Sequence, residues 1–175
     1  GLGAYRMDKK EADWEKNDIT DQIDYSRYYG GAGCSFFRCA NVLDNTKGIY
    51  DELKNVYYKY PAQLPPLKWL DDAVPEAPSE IKVRKENNEL ELTWDVPEGK
   101  SDSLSYTVYY AINDSVDTQT SSHMLATGVR GNSFRLPLTD ETERMYSFCV
   151  TSSTRYRIES KPSKETIYYL LPYEK

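Results

Sequence analysis

Five of this chain's nine prolines stand between Pro61 and Pro78, in the run Pro61-Ala-Gln-Leu-Pro-Pro-Leu-Lys-Trp-Leu-Asp-Asp-Ala-Val-Pro-Glu-Ala-Pro. Proline fixes φ, lacks an N–H and pushes the residue before it toward extended backbone, so neither a helix nor a central strand runs through this stretch. It divides the chain into residues 1–60, a linker over 61–78, and residues 79–175. Leu64, Leu67, Trp69 and Leu70 are interleaved with the prolines. That predicts a linker packed along a surface, holding a fixed angle between the two parts.

Ahead of the linker the pattern reads strand, helix, strand, helix. Gly1 to Met7 is a short apolar run, and Ile19, Ile23 and Ser26 recur at helical spacing within Trp14 to Tyr29. Gly30, Gly31 and Gly33 end that helix and free the backbone for a second apolar run, Cys34 to Cys39. Asp44, Asn45 and Thr46 then offer N-caps for a second helix with the apolar stripe Ile49, Leu53, Val56, Tyr57 and Tyr60. Short apolar strands, each followed by a helix, are the pattern of parallel βα units. The expected fold of residues 1–60 is therefore an α/β fragment of two βα units. A complete (β/α)8 barrel needs at least roughly 200 residues, which the chain does not have. The chain begins with Gly rather than Met and already inside an apolar run, which points to a C-terminal piece of a longer protein.

Behind the linker the period changes to two. Leu90, Leu92 and Trp94 alternate with Glu89, Glu91 and Thr93, and Tyr106, Val108 and Tyr110 repeat the alternation. Further strands are predicted over Ile81–Lys85, His123–Gly128, Ser133–Leu138, Met145–Ser153 and Lys164–Leu171. About seven short strands with no helical pattern between them predict an all-β sandwich over 79–175.

Charge narrows the function classes. With 22 basic and 28 acidic side chains the net charge is −6, which lacks the footprint of a nucleic-acid binder or a polybasic membrane clamp. No apolar run approaches the roughly 18 residues that span a bilayer as a helix. Three cysteines, Cys34, Cys39 and Cys149, and a single histidine, His123, give neither a disulfide framework nor zinc-ligand spacing, so no metal and no cofactor are expected. Tyrosine is abundant, 16 copies against 4 Phe and 3 Trp, which suits half-buried sheets, interfaces and sugar-binding faces alike.

Residues 75–171 resemble a fibronectin type III module. Pro75 to Pro78 looks like the approach to its first strand, and Leu90, Leu92 and Trp94 like its second strand with the buried tryptophan. Tyr106-Thr-Val-Tyr-Tyr looks like its third, and Tyr146-Ser-Phe-Cys-Val like its tyrosine-bearing sixth. The resemblance implies a tyrosine corner at Tyr146. Paired immunoglobulin cysteines are replaced by leucine and Phe148, which favours the fibronectin type.

Residues 1–70 resemble the end of the bacterial glycosyl-hydrolase-like family related to family ten glycosidases. The motifs are Gly1-Leu-Gly-Ala-Tyr-Arg-Met, Gly33-Cys-Ser-Phe-Phe-Arg, Lys47-Gly-Ile-Tyr-Asp-Glu-Leu-Lys, Tyr58-Lys-Tyr-Pro-Ala and Pro65-Pro-Leu-Lys-Trp-Leu. The resemblance implies the last two βα units of a barrel, a glycan-hydrolysing parent with paired carboxylates lying elsewhere, and a secreted, periplasmic or cell-surface location.

Barrel active sites lie at the C-terminal ends of strands, which singles out Tyr5, Arg6 and Trp14 after the first run and Phe37 and Arg38 after the second. Aromatic rings stack on sugar faces and guanidinium groups bond hydroxyls or carboxylates, so these five are the candidate substrate-binding residues. Packing in the core is the competing reading for Tyr5, Phe37 and Trp14. Asp8, Glu11 and Asp13 suit a helix start and are assigned no catalytic role. His123, in a polar stretch beside Ser121 and Ser122, lacks a nucleophile elbow, and Gly30, Gly31 and Gly33 precede a strand rather than follow one, against a phosphate loop. On the sandwich, Tyr109 and Tyr168, if exposed, are the candidates for a flat sugar- or protein-binding face, with cross-strand packing the competing and commoner reading for aromatic residues on strands.

The expected function is the non-catalytic C-terminal part of a glycan-degrading hydrolase, with the sandwich as accessory or spacer. The alternative is a stand-alone carbohydrate- or protein-binding adhesion module. The expected partner is a polysaccharide or oligosaccharide reached through the parent. Unpaired parallel edges in residues 1–60 would favour a homodimer.

Overall fold

The computed structural model describes residues 1–96, 103–139 and 144–171. Its backbone divides into two units, Gly1–Lys59 and Tyr60–Lys175. The proline-rich stretch belongs to the second.

In the first unit, α1 (Lys16–Tyr28) is the main element, followed by the short α2 (Cys39–Leu43) and α3 (Ile49–Glu52). The Glu15 N–H donates to Asp18 Oδ2 at 2.8 Å and starts α1. At its other end the N–H of Gly31 reaches Ser26 O at 2.7 Å and that of Gly30 reaches Arg27 O at 3.0 Å. Gly30 has φ 76°, and the pair of bonds is a Schellman ending. A Cβ on Gly31 would lie 2.7 Å from Ser26 O, so the closing turn needs glycine. The helix turns Ile19, Thr20 and Ile23 inward, onto Leu2, Ala4, Met7, Ile49 and Leu53.

The partial barrel of two βα units is not what forms. Leu2 and Phe36 make one isolated parallel bridge, and the chain then winds into a 3-10 turn over Ala4–Met7. Ala4 and Met7 are buried by that turn rather than by a strand. The second helix is also broken: Lys47 takes φ 53° between Asn45 and Gly48, and α3 passes into a π turn over Leu53–Tyr57. Ile49 and Leu53 go inside while Val56 and Tyr60 stay exposed. The premise for pairing two copies through open parallel edges is thereby removed, since the described residues here contain no strand beyond the bridge.

The second unit is antiparallel β structure. Its strands are β1 (Ser79–Glu86), β2 (Glu89–Asp95), β3 (Ser105–Ile112), β4 (Met124–Val129), β5 (Ser133–Pro137), β6 (Arg144–Ser153) and β7 (Thr166–Leu170). They form a three-stranded sheet, β1-β2-β5, and a four-stranded sheet, β4-β3-β6-β7. Alternation places Leu90, Leu92 and Trp94 of β2, Tyr106 and Val108 of β3, and Tyr146, Phe148 and Val150 of β6 in one core. Trp94 and Tyr106 pack at 5.3 Å between ring centres. Tyr146 lies parallel to Phe148 at 6.0 Å; a corner bond to residues 140–143 falls outside the described residues.

On the outer face of the three-stranded sheet, Arg84, Glu91 and Arg135 face one another across β1, β2 and β5. Arg84 Nε donates to Glu91 Oε2 at 2.7 Å and Arg135 Nη2 to Oε1 at 3.0 Å. These two guanidinium groups, Arg84 first, hold the Glu91 carboxyl below the usual carboxylate range.

The outer face of the four-stranded sheet is covered. Gln63 Nε2 donates to Thr107 Oγ1 at 3.0 Å, to Tyr109 Oη at 3.1 Å and to Glu159 Oε1 at 2.6 Å. The Leu67 N–H reaches Tyr156 O at 2.9 Å, and Ser152 Oγ donates to Glu76 O at 2.6 Å. Polar bonds thus tie down the proline-rich stretch. Of the apolar residues expected to do so, Leu67 is half-buried whereas Leu64, Trp69 and Leu70 are exposed. No helix among the described residues is long and apolar enough to cross a membrane.

Candidate functional site

The five residues chosen from the first unit come together. The Leu2 N–H donates to Ser35 O and the Phe37 N–H to Leu2 O, at 2.7 and 2.8 Å, and the Tyr5 N–H donates to Phe37 O at 3.1 Å. These bonds lay residues 2–5 along 35–37. The Trp14 N–H donates to Arg6 O at 2.9 Å and closes the loop over residues 8–13.

The side chains follow the backbone. Tyr5 and Phe37 meet edge to face at 5.7 Å. The Arg6 guanidinium carbon sits 4.9 Å from the Trp14 ring centre and 5.9 Å from that of Tyr5, and Arg38 lies 5.9 Å from the Tyr5 centre on its own account. Aromatic faces attract cations electrostatically, so the two guanidinium groups hold the rings in place and the rings hold them. Trp14 also packs against the core, while Phe37 is 66% exposed. The result is a surface platform with an open aromatic ring and two arginines.

Lys47 positions this platform, and sequence reasoning did not single it out. Its Nζ donates to Asp13 O at 3.0 Å, Asp13 Oδ1 at 2.8 Å, Trp14 O at 2.8 Å and Glu15 Oε1 at 2.9 Å. Those bonds, to Asp13 first and then Glu15, keep the ammonium charged above its ordinary range. In return Lys47 holds the Asp13 carboxyl below the usual range. Asp8 Oδ1 accepts the Lys10 N–H at 2.9 Å, and Glu11 lies 4.0 Å from Arg38. All three loop carboxylates therefore have structural partners.

A second aromatic surface was also missed. Tyr28 and Tyr29, 81% and 80% exposed, meet edge to face at 5.1 Å. Arg27 lies over Tyr57 and Tyr58 at 5.3 and 5.6 Å. The crowding of tyrosines at the end of α1 was the available signal.

The expected tyrosine face on the sandwich is corrected. Tyr109 is only 2% exposed, because Gln63 and Glu159 cover the outer face of β3. Its hydroxyl donates to Glu159 Oε1 at 2.9 Å. Burial first, and then the Glu159 charge, push its phenol well above the ordinary tyrosine range. Tyr168 is half-buried against the core, and it is its neighbour Tyr169 that is exposed. His123 Nδ1 accepts the Asp117 N–H at 3.0 Å, a loop bond. Among the described residues no group of His, Cys, Asp and Glu is arranged to hold a metal ion.

Among curated proteins, the chain is 31% identical over 172 residues to the glycosyl hydrolase YngK of Bacillus subtilis (strain 168). The match covers 95% of this chain and 33% of YngK, so the chain spans about a third of that relative's length. No family model matches. Among solved structures, the Yersinia enterocolitica family 28 exopolygalacturonase is similar over 56% of this chain and 21% of its own, at 15% identity and a TM-score of 0.42. The chain is thus weakly homologous to a glycosyl hydrolase, and the resemblance in fold to the second protein is too partial to bear on function.

Proposed function

We propose that this chain is a non-catalytic part of a longer, extracytoplasmic glycan-degrading hydrolase of the glycosyl-hydrolase-like, family ten-related kind. Saccharide contacts the Tyr5, Arg6, Trp14, Phe37 and Arg38 platform, and the β unit serves as a fibronectin type III-like accessory module. The observation that carries the reading is the convergence of these five side chains in a chain homologous to YngK along nearly its whole length. An exposed ring beside two guanidinium groups offers a stacking face and hydroxyl-directed donors in one place. The strand order of the two sheets and the buried Trp94 support the accessory module.

The test is a pair of assays. Oligosaccharide hydrolysis is expected to be blank for this chain and positive for the longer protein. Binding of neutral oligosaccharides to the chain is expected to weaken about 2- to 12-fold on Phe37→Ala, the span of roughly 0.5–1.5 kcal/mol that one aromatic contact contributes. Hydrolysis by the chain alone, or binding indifferent to Phe37, would refute it.

A further inference from the structure

Around one opening the β unit carries three arginines that, among the described residues, have no carboxylate partner. Arg130, Arg155 and Arg157 line a cavity of about 490 Å³ together with Ser103, Ser105 and Thr154. Ser103, Thr154 and Arg155 also line a neighbouring cavity of about 420 Å³ that adds Tyr156 and Asp71. Ser105 and Arg157 continue into a third, of about 190 Å³, beside Gln63 and Thr127. The three form one groove.

The turn that presents these arginines is built tightly. The Arg157 N–H reaches Thr154 O at 2.8 Å, the Thr154 N–H reaches Ile158 O at 3.1 Å, and Arg157 takes φ 64°. Arg155 lies over the Tyr156 ring at 4.6 Å and donates to its hydroxyl at 2.6 Å. Arg130 Nη1 donates to Leu104 O at 3.1 Å. Among the described residues none of the three forms an ion pair, whereas Arg84 and Arg135 of the same unit are each paired with several glutamates. In a chain of net charge −6, three uncompensated guanidinium groups at one opening create a local field favourable to anions.

We propose that this groove binds a carboxylate-bearing saccharide. The guanidinium fork matches a carboxylate in a bidentate arrangement. The serine and threonine hydroxyls and the Tyr156 ring suit the hydroxylated body of a sugar, and the cavity falls in the size range of small-ligand sites. The anionic part of the assignment stands on the arginines; the saccharide part rests on the glycan reading above.

The experiment compares tri-galacturonate with its methyl ester, which keeps the shape and removes the charge, by calorimetric titration of the full chain. Tri-galacturonate is expected to bind at least 10-fold more tightly than the ester. Arg155→Gln with Arg157→Gln is expected to abolish that preference, with circular dichroism showing the fold retained. Arg130 is left intact because it bonds Leu104. Equal binding of acid and ester, or a preference that survives the double substitution, would overturn the proposal. Inorganic sulfate competing as effectively as tri-galacturonate would overturn its saccharide part. Neutral-glycan binding indifferent to Phe37→Ala, with the acid preference intact, would sink the platform reading and leave the anion site standing.

Discussion

Glu159 is the side chain whose removal tests the architecture of the β unit most directly. One of its oxygens accepts three bonds, from Gln63 Nε2 at 2.6 Å, Thr151 Oγ1 at 2.5 Å and Tyr109 Oη at 2.9 Å. Thr151 and Tyr109 are buried, 1% and 2% exposed. Glu159→Ala leaves both hydroxyls without this acceptor, and each orphaned buried donor costs about 1–3 kcal/mol. Tyr109 still accepts the Gln63 amide, so the sum falls near the middle, at about 3–4 kcal/mol. Glu159→Gln keeps a carbonyl acceptor and gives up only the charge assistance, which roughly doubles a neutral bond, for a loss of about 1–1.5 kcal/mol. At roughly 4 °C per kcal/mol for a domain near 100 residues, Glu159→Ala lowers the melting temperature by about 12–16 °C and Glu159→Gln by about 4–6 °C. Thermal unfolding followed through the fluorescence of the buried Trp94 measures both. Gln63→Ala in the Glu159→Ala background should then add less than it does alone, because the partners are shared. An alanine variant within about 1 kcal/mol of the parent, or a glutamine variant as damaging as alanine, would refute the network as an energetic unit.

Four further outcomes are expected. Cys149, pushed up to about 12 from 9.0 by burial and then by the charges of Glu165 and Glu159, should resist thiol reagents in the native state, while the exposed Cys39 reacts first; mass spectrometry after timed alkylation gives the order. Because the folded pKa is the raised one, stability holds below pH 9 and falls as pH rises toward 12, by up to about 4 kcal/mol. Cys149→Ala should flatten that alkaline limb, and a limb unchanged by the substitution would count against buried ionisation. For Glu91 the sign is opposite: its folded pKa is lowered, so its contribution is present above the ordinary carboxylate value and is lost as pH falls through the lower folded one. Glu91→Gln should therefore be less stable at neutral pH and show a shallower acid limb in denaturant titrations. Lys47→Met should loosen the Trp14 loop, read as a red-shifted Trp14 emission in a Trp69→Phe background, with weakened binding at the platform and an unchanged β unit.

The strands of the second unit were legible because alternation is a local signal. Leu90, Leu92 and Trp94 declare an inward face whatever surrounds them. The same rule put Tyr109 on the opposite face correctly and then mistook that face for solvent, since nothing in residues 105–112 announces that Gln63 will lie across them. In the first unit the apolar run Gly1 to Met7 reads as a strand, yet a strand needs a partner along its length, and Leu2 finds one only at Phe36. The five candidate residues nevertheless lie beside one another. Backbone bonds between residues 2–5 and 35–37 bring Phe37 and Arg38 to Tyr5, and loop closure brings Trp14 to Arg6: the Glu11 and Asp13 N–H groups both reach Asp8 O, at 3.0 and 3.2 Å, and the Trp14 N–H reaches Arg6 O. Asp13 takes φ 51° and Lys47 φ 53°, and the Lys47 ammonium bridges 33 residues of sequence to fasten the loop at Trp14. Such a bridge has no period and no motif. The residues that carry the proposed chemistry are therefore readable from their types, while those that place them become visible only when the chain is folded, and it is at Lys47, not at a strand end, that mutation should separate the two.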